Sequence, residues 1–120
     1  MTDAIDAAAF ANLVEMTGGE LDFVDELVDT YLEDGERQLD AMRAAADGGD
    51  VAGLTRAAHS LKSSSLNVGA LELGEACRAL EELGRGGSVP DAAERIALIA
   101  AGFVAVRDTL LDERLRRAPG

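Results

Sequence analysis

The sequence contains few residues of several kinds, and each shortage excludes a class of structure. It has one cysteine, Cys77, so no disulfide can form within the chain, which is typical of a reducing compartment. It has two prolines, three phenylalanines, one tyrosine and no tryptophan among 120 residues. The core must therefore consist mainly of Leu, Val, Ile and Ala. Because runs of β-branched residues are also absent, the composition predicts an all-α protein.

Long apolar runs and an excess of basic charge are missing as well. No apolar run approaches the ~20 residues of a membrane-spanning helix, and the acidic N-terminus is unlike a signal peptide. We therefore expect a cytoplasmic protein. The net charge is −12; residues 1–50 hold 14 acidic and 2 basic residues, whereas residues 51–120 hold 9 of each. This charge opposes binding to nucleic acid or to an anionic membrane, so neither is expected as a partner.

Glycine and aspartate divide the chain into five amphipathic segments with the periodicity of α-helices. The predicted helices cover residues 4–16 and, approximately, residues 20–46, 51–67, 70–84 and 90–115. Thr2 or Asp3 is expected to cap the first helix and Asp50 the third. Gly35 lies inside the second helix, and the sequence leaves open whether it bends or splits that helix. Residues 1–120 have the length of one domain. We predict an antiparallel four-helix bundle formed by helices two to five, with the short N-terminal helix as a lid.

The apolar residues of each segment indicate which side faces the core. Phe23 is expected to face inward on the second helix, and Leu73, Cys77 and Leu80 form the inward stripe of the fourth helix. Glu81 is expected on the outside of that helix. On the last helix the apolar residues alternate in steps of three and four, as in the seam of a helical bundle: Ile96, Ile99, Phe103, Val106 and Leu110.

The only histidine, His59, lies outside the apolar face of the third helix. At about 100° per residue, it is well separated from the sector of Leu54, Ala58 and Leu61. Lys62 and Ser63 follow at three and four residues, so their side chains lean back over the turn that carries the ring. A lysine there does not favour a protonated imidazole, but it would stabilise a dianionic group attached to the ring. Ser63 is small and leaves the ring open.

These residues also form a motif. The run His59-Ser60-Leu61-Lys62-Ser63-Ser64-Ser65, followed by Gly69-Ala70, resembles the signature of histidine-containing phosphotransfer (HPt) domains. HPt domains are the helical phosphocarriers of multistep two-component signalling. The family commonly has glycine at the position of Ser63, and serine is still a small residue. The helix pattern on both sides of the motif fits the same family, so the resemblance covers nearly the whole chain.

The resemblance implies a function. His59 would take a phosphoryl group from the aspartyl phosphate of a receiver domain and pass it to a second receiver. Lys62 and Ser63 would stabilise the phosphoryl group, and Thr55, Arg56 and Leu66 would form part of the docking surface. The expected partners are receiver domains of response regulators or hybrid histidine kinases. No cofactor is expected on this chain, because the Mg²⁺ of this scheme belongs to the receiver, and we expect a monomer.

Other functions are weighed against this one. A catalytic triad needs a nucleophile, a base and an orienting group, and no motif places them around His59. The chain has no room for the ATP-binding domain of a kinase, and one histidine cannot supply a di-iron site of the bundle type. We therefore expect no enzyme. The alternative that remains is a helical interaction module that binds or sequesters a receiver without carrying phosphate.

Overall fold

The computed structural model describes residues 3–117, which form five α-helices and, within that range, no strand. The helices are α1 (Ala7–Met16), α2 (Leu21–Asp47), α3 (Val51–Asn67), α4 (Leu71–Arg85) and α5 (Ala92–Arg117). The predicted bounds of α3 agree with the observed ones at both ends. Within the described residues, no helix is long and apolar enough to cross a membrane.

Helices α2 to α5 form an antiparallel four-helix bundle, and the molecule as a whole is about 48 Å long and 22 Å wide. α3 packs against α2 and α4, and α5 packs against the same two helices. α3 and α5 are therefore diagonal neighbours on opposite sides of the bundle. α1 lies across α2 and α3. The prediction of an all-α bundle with an additional N-terminal helix is confirmed.

The core lies along the bundle axis and is apolar, as the periodicity predicts. The stripe of α4 and the whole predicted seam of α5 are buried. The hydroxyl groups of Tyr31 and Ser65 form a hydrogen bond of 2.8 Å, which joins α2 to α3 inside the core. Burial raises the pKa of the Tyr31 hydroxyl to about 12, so this pair stays neutral. Cys77 is buried as well, and burial raises the pKa of its thiol to about 12.

Gly35 does not split α2, which runs without a break from Leu21 to Asp47. The ring of Phe103 on α5 lies where a side chain at position 35 would begin. Glycine thus lets α2 and α5 approach closely, and this contact offsets the cost of glycine within a helix, about 1 kcal/mol.

We expect Gly35→Ala to lower the free energy of unfolding by about 1–3 kcal/mol, although alanine is the better helix former. The new methyl group would push against the buried ring of Phe103. Gly102→Ala on α5 is the matched control, since its methyl group would meet only the flexible end of Leu73, at 3.3 Å. Urea unfolding of the two variants measures the difference. A Gly35→Ala protein as stable as the control would contradict the packing argument.

Three predictions about the helices are wrong. α1 begins at Ala7 rather than at residue 4, because the side chain of Asp6 accepts the backbone N–H of Ala9 at 2.9 Å and caps the helix. Asp3 is not the cap, and Thr2 lies outside the described residues. α5 begins at Ala92, two residues after Pro90. Phe23 does not face the core, since 48% of its surface is exposed.

Candidate functional site

His59 lies in the middle of α3, on the side that faces solvent. Asp50 caps this helix by accepting the backbone N–H of Gly53 at 2.9 Å. Leu54 and Leu61 anchor the opposite side of the helix in the core. The side chain of His59 is 54% exposed, so a group from another molecule can reach the ring. The predicted position of His59 is therefore the observed one.

A buried carboxylate on the neighbouring helix holds the ring. Glu81 of α4 is only 2% exposed, and its Oε2 lies 2.7 Å from Nδ1 of His59. Lys62 donates to Oε1 of the same carboxylate at 2.7 Å, and Arg85 donates to Oε2 at 2.6 Å. Three donors from two helices thus meet on one acidic side chain.

The ionised carboxylate of Glu81 determines which nitrogen of the His59 ring carries the proton. The pKa of the Glu81 carboxyl lies below its usual range, chiefly because Lys62 donates a hydrogen bond to it; burial opposes this effect, and His59 and Arg85 strengthen it. An ionised carboxylate can only accept, so Nδ1 of His59 carries the proton and donates. In the neutral ring the lone pair then lies on Nε2. This atom has no hydrogen-bond partner among the side chains that the structure describes.

The sequence analysis placed Glu81 on the outside of α4, and this prediction is wrong. Glu81 follows Leu73 and Cys77 at steps of four and therefore continues their inward stripe, which is a signal that the sequence contains. Its charge predicted a solvent-exposed position, because acidic residues are almost never fully buried unless they are paired. Here the partners come mostly from another helix, and the sequence does not show them.

Lys62 shares the carboxylate of Glu81 with His59, and Ser63 is exposed one turn after His59 on α3, so their surroundings differ. The Lys62 side chain is only 21% exposed, and its ammonium group is paired with Glu81. Ser63 is exposed, and its hydroxyl has no partner within the described part of the chain. Ser64 is the serine that bonds back along the helix, to the carbonyls of Ser60 and Leu61 at 3.1 and 3.2 Å.

The three residues predicted to dock a partner occupy different positions. Arg56 is exposed one turn before His59, and Leu66 is 41% exposed two turns after it. Thr55 is half-buried against Gly84 of α4, and its hydroxyl donates to the carbonyl of Val51 at 2.8 Å. Two of the three thus offer open surface, while the hydroxyl of the third is already engaged. Their role in docking stays a prediction.

An apolar groove of about 620 Å³ lies next to Leu66, one of the predicted docking residues. It lies between α1, α2 and α3, and Leu66 forms part of its wall together with Leu13, Leu27 and Val68.

As to metals, the described residues contain no cluster of three or more His, Cys, Asp or Glu side chains that could hold an ion.

Comparison with known proteins gives matches over most of the chain. The family model of the Hpt domain matches residues 26–117. The structure of histidine-containing phosphotransfer protein B (HptB) from Pseudomonas aeruginosa PAO1 superposes with a TM-score of 0.90 and 33% sequence identity, covering 98% of this chain and 100% of HptB. No curated protein sequence matches.

A second solved structure shares the fold. Histidine-containing phosphotransfer protein ZmHP2 from maize superposes with a TM-score of 0.81 at 22% identity, covering 95% of this chain and 91% of the maize protein. The resemblance drawn from the motif around His59 is thus confirmed by a family model that spans most of the sequence and by a relative that is one-third identical. This chain belongs to the Hpt domain family.

Proposed function

We propose that this protein carries a phosphoryl group between receiver-domain aspartates in a two-component phosphorelay, with His59 as the acceptor. The observation that supports this most is the half-exposed imidazole whose Nδ1 is held by the buried carboxylate of Glu81. This contact directs the reactive Nε2 lone pair away from the protein. Membership of the Hpt domain family supports the same role.

The chemistry follows from the orientation of the ring. Nε2 of His59 attacks the phosphorus of a receiver's aspartyl phosphate; the N–P bond forms as the bond between phosphorus and the aspartate oxygen breaks, and the aspartate leaves as a carboxylate. The ring keeps its Nδ1 proton and gains positive charge. The negative charge of Glu81 stabilises that positive charge. The reverse step onto a second aspartate needs no proton transfer either, so the geometry suits a reversible carrier.

The groups around the ring balance the charge of the phosphoryl group. We assign Lys62 to offset that charge, since its ammonium group is held 2.7 Å from Glu81 beside His59. Ser63 leaves room for the incoming receiver and has a hydroxyl free to donate. Arg56 and Leu66 provide exposed surface on both sides of His59 for docking.

The partner supplies the remaining machinery. We propose receiver domains of response regulators or hybrid histidine kinases as partners, and we assign the Mg²⁺ of the reaction to the receiver. On this proposal the chain binds no cofactor of its own and acts as a phosphocarrier rather than as an enzyme.

The experiment that tests this function mixes the protein with a receiver domain that has been phosphorylated by a small-molecule phosphodonor in the presence of Mg²⁺. Intact-mass spectrometry should show one phosphoryl group on this chain, and the label should be lost in acid and survive base, as an N–P bond does. The same donor without receiver is the control for direct labelling. Tight binding of the receiver without any gain in mass would instead indicate the sequestering module.

We expect Ser63→Leu to keep the fold and to block phosphoryl transfer. Position 63 is exposed, so a larger side chain costs little stability. That side chain would, however, lean back over His59 and keep the receiver away. Ser63→Gly is the matched control: it should transfer like the wild type while melting slightly lower, since glycine costs roughly 0.5 kcal/mol relative to serine in a helix. Rapid-mixing transfer rates and melting curves measure both. Wild-type rates in the leucine variant would contradict the steric argument.

A further inference from the structure

The outer side of α5 carries an apolar stripe that no other part of the bundle covers. Between Glu94 and Asp108 every exposed residue of this helix is apolar: Ala97, Leu98, Ala101, Val104 and Ala105. Beyond Asp108 the stripe continues with Leu111 and Leu115. Leu98 and Leu115 are 72% and 74% exposed. The exposed side of α2, in contrast, carries charged residues such as Glu33 and Glu36.

The stripe has the spacing of a helix–helix seam. Its central line runs in alternating steps of four and three residues, which keeps the residues on one side of a helix: Ala97, Ala101, Val104, Asp108, Leu111 and Leu115. The buried seam of the same helix points in a direction about 140° away, at 100° per residue. α5 therefore has two seams, and only one of them is covered by other residues of the described part of the chain.

We propose that a second copy of this chain covers the outer seam of α5, with the two α5 helices antiparallel about a twofold axis. In this arrangement Ala97 lies opposite Leu115 of the second copy, and Ala101 lies opposite Leu111 of the second copy. Each of these alanines thus faces a leucine, and in the same register Val104 lies opposite Asp108 of the second copy. A parallel arrangement would place Ala97 against Ala97 and Asp108 against Asp108, which leaves gaps and brings like charges together.

The charges favour a second copy as the occupant. Arg107 and Asp108 lie side by side near the middle of the stripe, with 3.3 Å between their charged groups. A twofold axis beside them brings each Arg107 within reach of Asp108 of the second copy, so the pair is complementary to itself. The helix from Ala92 to Arg117 contains 4 acidic and 5 basic residues, whereas residues 1–50 carry the net charge of −12. Two copies can therefore meet along α5 with little of the repulsion that α1 and α2 would cause.

This dimer would leave the proposed phosphoryl chemistry untouched. α5 and α3 are diagonal in the bundle, so His59 lies on the side away from the stripe. Both copies would present an open His59 to receivers. A single pair of helices makes a small interface, and we expect a dissociation constant on the order of 10–100 μM. The proposal replaces the monomer that was expected from the sequence.

Sedimentation velocity over protein concentrations from well below to well above that range tests the proposal. The wild type should pass from monomer to dimer, and Val104→Glu and Leu111→Glu should each weaken the association about tenfold or more. Leu71→Glu is the matched control on α4, because Leu71 is 40% exposed, close to the 42% of Val104; it should behave like the wild type. A monomer at every concentration, or a dimer indifferent to both stripe variants, would overturn the proposal.

A charge exchange tests the twofold axis. Arg107→Asp and Asp108→Arg should each weaken the dimer, and the double variant should restore it, because the exchanged pair is again self-complementary. Failure of the double variant to recover would exclude this pairing.

Disulfide cross-linking tests the direction of the helices. A mixture of Ala97→Cys and Leu115→Cys proteins should form a mixed disulfide under mild oxidation, while neither forms one alone. The native Cys77 is buried and does not interfere. A disulfide from Ala97→Cys alone would show a parallel pair and contradict the proposal.

The outcome is independent of the proposed function. The stripe variants should accept the phosphoryl group from a receiver at the wild-type rate, because they lie on the side of the bundle away from His59. Normal transfer by a protein that never dimerises would overturn the dimer alone. A dimer that accepts no phosphoryl group would overturn the proposed function alone.

Discussion

Replacing His59 with glutamine should abolish acceptance of the phosphoryl group while leaving the helical bundle intact. The chain has no second histidine, so no other imidazole can form the N–P bond. The side chain is 54% exposed and contributes little to the core, so we expect the stability to change by less than about 1 kcal/mol. Glutamine can still hydrogen-bond to Glu81 through its amide N–H groups, which avoids an unpaired carboxylate.

The measurement is intact-mass spectrometry after incubation with a phosphorylated receiver, together with circular dichroism and thermal melting. Arg43→Gln, an exposed substitution on α2, controls for effects of preparing any variant protein, and it should be labelled like the wild type. Full labelling of the His59→Gln protein would rule out His59 as the acceptor and, with it, the proposed chemistry.

Glu81→Ala should slow phosphoryl transfer on the order of 10- to 100-fold, since it removes the group that orients the ring. The imidazole would then be free to turn and to place its proton on Nε2, the atom proposed to react. We also expect the free energy of unfolding to fall by about 1–3 kcal/mol, because Lys62 and Arg85 lose a buried acceptor but can turn to solvent. Glu81→Gln keeps an acceptor for Nδ1 and loses the charge, so its transfer rate should lie between those of the wild type and Glu81→Ala.

Two measurements separate positioning from mere stability. Nitrogen-15 chemical shifts of the His59 ring report which nitrogen carries the proton; the wild type should show Nδ1–H in the neutral ring, and Glu81→Ala should shift the proton to Nε2. Glu82→Ala, the exposed neighbour on α4, is the matched control and should change neither the shifts nor the rate. Unchanged nitrogen shifts in Glu81→Ala would refute the assigned role.

The stability difference should also depend on pH. Because its partners hold the pKa of Glu81 below the usual range, the ion pairs stabilise the folded protein at neutral pH. That contribution is lost as the pH falls through the pKa of Glu81 in the folded protein. The wild type and Glu81→Ala should therefore approach each other in stability in acid, and unfolding curves at a series of pH values measure this. A difference that stays constant into acid would contradict the ion-pair account.

The sequence by itself determined the helical class, the bounds of α3 and the outward position of His59. These features depend on local patterns: the period of apolar residues, the cap at Asp50 and the glycines between segments. Such patterns act within a few residues of one another, so a single segment contains all the information they need. The buried seam of α5 could be predicted for the same reason.

Only the tertiary structure decided which residues surround the ring. Glu81 contacts His59 across 22 residues of sequence, and this contact exists because α3 and α4 pack side by side. Gly35 and Phe103 likewise come together from α2 and α5, and this contact explains the glycine that the sequence left open. The periodicity of a helix distinguishes its two sides but does not name the residue that another helix presents to them. Glu81 therefore had the pattern of an inward residue and the charge of an outward one, and the cations supplied by its neighbours decided between the two.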